Sequence, residues 1–134
     1  MKLDTIEQIE NSKWGEPGDD STGLVKTIFA LRKKDICLFS IEDLRILIGQ
    51  NVALDILIPI AIEKLNENFF SEGDFYKGDL LHNVLISDRN FWEKNFLLKQ
   101  KMFELFEENK ESLKNFETTE EIRRALFVAY EKFV

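Results

Sequence analysis

The sequence predicts an all-α domain of about seven helices, and three observations carry that prediction. Apolar residues recur at i, i+3, i+4 and i+7 through most of the chain. Ser40 is followed three residues later by Asp43, and Thr118 by Glu121, each at capping-box spacing ahead of an apolar stripe. Five of the six glycines fall in two stretches, residues 13–23 (with Pro17) and 68–79, which read as loops between helices. With 44% hydrophobic residues and 12 phenylalanines among 134 residues, the helices have a core to bury, and a single domain over residues 1–134 is expected.

Taken in order, residues 3–10 form a short helix and "STGLVKTIFALRKK" (21–34) another. "DICLF" (35–39) has no evident strand to pair with, so it reads as a loop that drops Ile36, Leu38 and Phe39 into the core, with Cys37 as a small buried hydrophobe. "SIEDLRILIGQ" (40–50) places Ile41, Leu44, Leu47 and Ile48 on one face. In "ALDILIPIAIEKLNE" (53–67) Leu54, Leu57, Ile58, Ala61, Ile62 and Leu65 form a stripe that keeps its phase across Pro59, which predicts one helix kinked at the proline. Ile56 and Ile60 fall on other faces, so that helix is buried on more than one side. Asp79 caps a helix through Leu80, Leu81, Val84 and Leu85, residues 88–113 read as one long helix, and Thr118 caps a last helix carrying Ile122, Leu126, Ala129 and Phe133.

Charge and composition narrow the function. The formal charge is −7, and residues 1–23 alone hold six acids against two lysines. Direct binding to nucleic acid, which needs a basic surface, is therefore not expected. A basic protein partner would be attracted, although acidity also serves simply to keep a small protein in solution. The first ten residues carry Asp4 and Glu7 where a secretory signal needs an apolar run, the longest apolar run (Ile56 to Ile62) is far short of a membrane span, and one cysteine suits a reducing compartment. A cytoplasmic protein without membrane contact is expected.

No catalytic constellation stands out, and neither a cofactor nor a metal is expected. His82 is the only histidine, so a two-histidine acid–base pair or a His-rich metal site cannot form. Cys37 has no basic neighbour closer than Lys34. Asp74 and Asp79 flank a glycine-containing loop whose acids miss the alternating calcium pattern. "GDFYKG" has too few glycines for a dinucleotide fingerprint. Arg45 lies one helical turn from Glu42, which predicts a local ion pair, and Asp79 is a candidate partner from further along the chain.

"KWGEP", then "SIEDLRILIGQNVALDILIPIAIEKL", then "EGDFYKGDLLHNVL" followed by "FW" resemble the all-helical immunity proteins of bacterial contact-dependent growth inhibition systems. The resemblance spans roughly residues 13–92 and rests on the order LRxLIxQ, LxPxAxxxL, YxGDLL; the C-terminal third shares only a helical, charged character. It implies a protein without activity of its own that binds and blocks a cognate toxin domain, commonly a nuclease and often basic. Contacts in such pairs vary with the toxin, so the shared motifs imply scaffold rather than interface. An inhibitor of a nuclease needs exposed carboxylates beside aromatic anchors. Two loops supply both: Trp14, Glu16, Asp19 and Asp20 in the first, Glu72, Asp74 and Tyr76 in the second. The helical acids Glu104, Glu107, Glu108 and Glu111 form a rival patch. A helical adaptor for another protein and a two-carboxylate hydrolase remain as alternative classes.

Overall fold

The computed structural model describes residues 4–134. Eight α-helices are found among them: α1 (Ile6–Glu10), α2 (Gly23–Arg32), α3 (Ile41–Gly49), α4 (Leu54–Glu67), α5 (Asp79–Leu85), α6 (Arg89–Lys94), α7 (Phe96–Asn115) and α8 (Glu120–Phe133). No strand forms among the described residues; the only pairing of that kind is an isolated bridge between Glu72 and Lys77. The start of the first helix at residue 3 lies outside the described residues.

Caps set most of the boundaries. Ser40 and Asp43 close the expected capping box on α3, and Thr5 with Gln8 closes a second one on α1. The cap of α8 is Thr119, one residue later than expected, whose hydroxyl accepts from the Ile122 N–H at 3.2 Å. The expected long helix over 88–113 divides at Asn95, which gives eight helices where about seven were predicted. There the backbone leaves the helical region (φ −126°, ψ 61°), and the Asn95 amide donates to the Phe91 carbonyl at 2.8 Å. Asn109 makes the same bond to the Leu105 carbonyl inside unbroken α7, so the bond accompanies the break without accounting for it. Through Pro59, by contrast, α4 runs as one helix with Leu54, Leu57, Ile58, Ala61 and Leu65 buried, while Ile56, Ile60 and Ile62 pack partly buried against the core.

One hydrophobic core takes residues from all eight helices, Ile6 of α1, Leu31 of α2 and Trp92 of α6 included. Leu44, Leu47 and Ile48 of α3, Leu80, Leu81 and Val84 of α5, and Leu126 of α8 are fully buried in it. α3 and α5 approach so closely that a Cβ on Gly49 would lie 2.7 Å from the Asn83 amide oxygen. Phe106 stacks on Tyr130 and meets Phe69 edge-on, which ties α7 and α8 to the end of α4. Arg123 of α8 donates to the carbonyls of Leu113 and Phe116, satisfying the end of α7. The segment 35–39 departs from expectation. Its Ile36–Leu38 turn is a single 3-10 turn that buries Ile36 and Phe39 only in part, leaves Leu38 64% exposed and exposes Cys37. The 3-10 turn directs consecutive side chains to different sides, so the three apolar residues cannot all point inward.

Candidate functional site: two acidic loops on buried charges

The loop between α1 and α2 is held from below by Arg32. This side chain is 1% exposed and donates to a Glu10 carboxylate oxygen at 2.6 Å and to the Ser12 carbonyl at 2.9 Å. The Trp14 ring covers it, with the guanidinium carbon 3.9 Å from the ring centre, and meets Phe29 edge-on. Trp14 is thus partly a lid and partly surface, at 46% exposed. Glu16 reaches Lys33 at 2.7 Å but is almost wholly in solvent. Asp19 and Asp20 sit in a turn closed by Ser21 N–H to the Gly18 carbonyl, both exposed and neither in an ion pair among the described residues.

The loop between α4 and α5 is held by the opposite charge. Asp79 is 1% exposed, and as the first residue of α5 its carboxylate turns back on the loop instead of capping the helix. It accepts the backbone N–H groups of Gly73 (2.7 Å), Phe75 (3.1 Å) and Tyr76 (3.4 Å). The cap position falls to Gly78, whose φ of +94° suits glycine. Glu42 of α3 accepts the Asp74 N–H at 2.9 Å and grips Arg45 through two hydrogen bonds of 2.6 and 2.5 Å. Arg45 lies 4.0 Å from Asp79, so the local pair and the longer-range one expected from the sequence both form. The hydrogen bonds from Arg45 hold the Glu42 carboxyl below its ordinary range.

The two aromatic neighbours divide their roles. Tyr76 is half-buried, its hydroxyl 3.0 Å from Nδ1 of His82, and burial raises its pKa while lowering that of His82. Phe75 is 68% exposed, its ring 4.4 Å from the Arg45 guanidinium carbon. Residue type alone did not separate these two; Asp79 accepts the N–H of both, and their side chains part, Tyr76 to His82 and Phe75 to Arg45. Glu72 is exposed in the same loop, and Asp74 is exposed with its carboxyl near Arg45.

No hydrogen bond or ion pair between described residues joins the two loops directly. A run of contacts leads from one to the other across the α2–α3 junction: Glu16 with Lys33, Lys34 with Asp43 at 2.7 Å, then Glu42 with the Asp74 N–H. The rival acids on α7 are differently placed. Glu107 is engaged by Lys110 and by the Tyr130 hydroxyl, which lowers its pKa, and Glu111 is engaged by Lys114.

Among the described residues no group of three or more His, Cys, Asp or Glu could hold a metal ion, and no helix is long and apolar enough to cross a membrane. Glu42 and Asp79, both within reach of the Gly73 backbone, give their oxygens to loop N–H groups and to Arg45. Most motif residues lie in the core or in this network: Leu44, Leu47, Leu57, Ala61, Leu65, Leu80 and Leu81 are buried, and Arg45, Tyr76, Gly78 and Asp79 shape the loop.

These features define a small helical protein with two acidic loops held by buried charges. The family model of CDI immunity proteins matches residues 8–102, which include both loops, and the chain belongs to that family. Membership implies binding to a cognate toxin. Comparison with curated proteins and with solved structures found no match.

Proposed function

We propose that the protein acts in the cytoplasm as a non-catalytic immunity protein, and that it neutralises the C-terminal toxin domain of a contact-dependent growth inhibition system. The target domain is a basic nuclease, and Trp14, Glu16, Asp19, Asp20, Glu72, Asp74 and Tyr76 form the surface that meets it by occupying the cleft that would otherwise hold a phosphate backbone. The observation that carries this reading is that exposed acids stand on two loops held in place by buried charges. Asp19, Asp20 and Glu72 are exposed, in no ion pair among the described residues, and stand on loops tethered by Arg32 and Asp79; of the rival acids on α7, Glu107 and Glu111 are engaged by lysines one turn away, while Glu104 and Glu108 are exposed and likewise in no ion pair among the described residues. Unpaired carboxylates on ordered loops project more field than carboxylates neutralised on their own helix. The working unit is taken as all of 1–134, because Leu126 of α8, beyond the matched residues, packs beneath Gly78 at the hinge of the second loop.

The test is charge reversal. Lysine at Asp19, Asp20 and Asp74 together is expected to leave the thermal melt in place, slow association with the cognate toxin domain and flatten its dependence on salt. Lysine at Glu104, Glu108 and Glu111 is the control, with Glu107 spared because it accepts from Tyr130. Loss of protection in the control, with protection kept in the loop variant, moves the interface to α7 and refutes the assignment.

A further inference from the structure

We propose that Phe75 is the anchor of the toxin-binding surface, a ring held at a fixed place so that it enters an apolar slot on the toxin whose rim is basic. This rests on the reading of the chain as a toxin inhibitor. A lone exposed apolar residue is ordinary on a protein surface, and Leu97 (75% exposed) and Phe96 (69%) are examples on the first turn of α7. Phe75 differs in what lies beneath it.

Its own N–H and those of Gly73 and Tyr76 are bound by Asp79, and the N–H of Asp74 by Glu42. Its ring rests on the Arg45 guanidinium, which Glu42 fixes with two hydrogen bonds. Backbone and side chain are therefore both positioned. Two glycines are committed to the same end. A Cβ at Gly73 would stand 2.5 Å from a Glu42 oxygen and 3.1 Å from an Asp79 oxygen, and Gly78 holds a positive φ. Burying a carboxylate is costly unless its oxygens are fully used; those of Asp79 are used on this loop.

The core gains little from the result, because the ring at the tip is mostly in water. An ordered aromatic in solvent is what binding favours, since immobilising it on contact costs no further rotamer entropy. Central, well-packed aromatic side chains with a polar surround dominate interface energetics. Glu72 and Asp74, exposed acids of the same loop, supply the polar surround, and they match a basic rim while opposing an acidic one.

The experiment measures binding kinetics of the full chain with the purified cognate toxin domain for wild type, Phe75→Ala, Phe75→Leu and Leu97→Ala. All three substitutions are at exposed positions, and melting curves confirm that each variant folds. Phe75→Ala is expected to weaken binding about 30-fold or more, as for an interface hot spot, almost wholly through faster dissociation and with the salt dependence of association unchanged. Phe75→Leu is expected to recover roughly half of that loss in logarithmic terms, and Leu97→Ala to bind like wild type. Binding of Phe75→Ala within about threefold of wild type, or an equal loss in Leu97→Ala, overturns the proposal while leaving the inhibitor reading intact. Failure of the wild-type chain to bind the toxin domain overturns that reading itself, and the anchor with it.

Discussion

Changing Asp79 to Asn removes one charge and almost no volume from a side chain that is 1% exposed, and so isolates what the carboxylate does for the second loop. Two oxygens now accept three N–H groups: Gly73 on one, Phe75 and Tyr76 on the other. An amide offers one oxygen. Turned one way it keeps Phe75 and Tyr76 and sets its NH2 against the Gly73 N–H; turned the other way it keeps Gly73 and opposes the remaining two. Hydrogen bonds to a charged acceptor contribute about 1.5–3 kcal/mol each, and a stranded N–H costs about 1–3 kcal/mol. The relief of no longer burying a charge offsets part of that. Arg45 keeps both of its bonds to Glu42, so no cation is orphaned. The net expected loss is about 2–4 kcal/mol, or roughly 8–16 °C in Tm for a chain of this size.

Urea unfolding of wild type and Asp79→Asn gives the difference in stability, and amide hydrogen exchange shows where it arises. Faster exchange is expected at Gly73 first and at Phe75 and Tyr76 with it, with the α3 amides slowed or quickened only by the global change. Asp74→Asn, at an exposed carboxylate of the same loop, serves as the reference and is expected to shift stability by no more than about 0.5 kcal/mol. A loss under about 1 kcal/mol for Asp79→Asn, with exchange at Gly73 unchanged, would refute the claim that this carboxylate holds the loop.

Leu57→Ala, at a fully buried position on α4, is expected to cost about 3 kcal/mol and Ile62→Ala, only partly buried, about half of that, both read from urea midpoints; equal or reversed losses contradict the placement of the stripe. Ala53 adopts a left-handed conformation at φ 52°, which costs a non-glycine residue about 1–2 kcal/mol, so Ala53→Gly is expected to raise stability by roughly 0.5 kcal/mol after the greater freedom of glycine in the unfolded chain is subtracted. A lower Tm would count against it. Burial depresses the pKa of His82 below its ordinary 6.5, so the unfolded chain takes up the proton first as pH falls. Its contribution is complete above pH 6.5 and is lost as pH drops towards the folded-state value. The His82→Gln variant is expected to lose this decline. The separate fall below about pH 4.5, to which the depressed carboxyls of Glu42 and Glu107 contribute, is expected to remain.

The helices were legible because their signals are local. A stripe such as Leu54, Leu57, Ile58, Ala61 and Leu65, or a box such as Ser40 and Asp43, is complete within a few residues of chain. The break at Asn95 was not, because the apolar residues on both sides of it continue at helical spacing. At the loops the acids were legible by composition, but their supports were not. Arg32 lies 22 residues from Glu10, and Glu42 lies 32 residues from the Asp74 N–H that it accepts. No spacing rule reaches that far. The one distant partner the sequence did suggest, Asp79 for Arg45, came from charge alone, and its larger role towards the loop N–H groups is a matter of backbone direction that residue types do not encode.

The two loops are tethered by complementary means, and this bears on how any substitution in them must be read. The first is anchored by a buried cation that collects a carboxylate and a carbonyl, the second by a buried anion that collects N–H groups. In each case the anchoring charge sits on a helix, Arg32 at the end of α2 and Asp79 at the start of α5, and the exposed acids stand apart from it. Asp19, Asp20 and Glu72 hold nothing in place through their side chains among the described residues. Reversing their charge therefore perturbs the field at the surface and leaves the tether alone. Changes at Arg32 or Asp79 do the reverse: they loosen a loop without altering its exposed charge. A binding surface built this way predicts two separable signatures with the toxin domain. Charge reversal at the acids acts on association and on its salt dependence. Loosening a tether leaves the early, field-driven approach in place and raises the cost of ordering the loop in the complex, so its effect falls on dissociation. If Asp79→Asn and lysine at Asp19 and Asp20 changed the same rate constant to the same degree, support and contact would not be distinct in this protein.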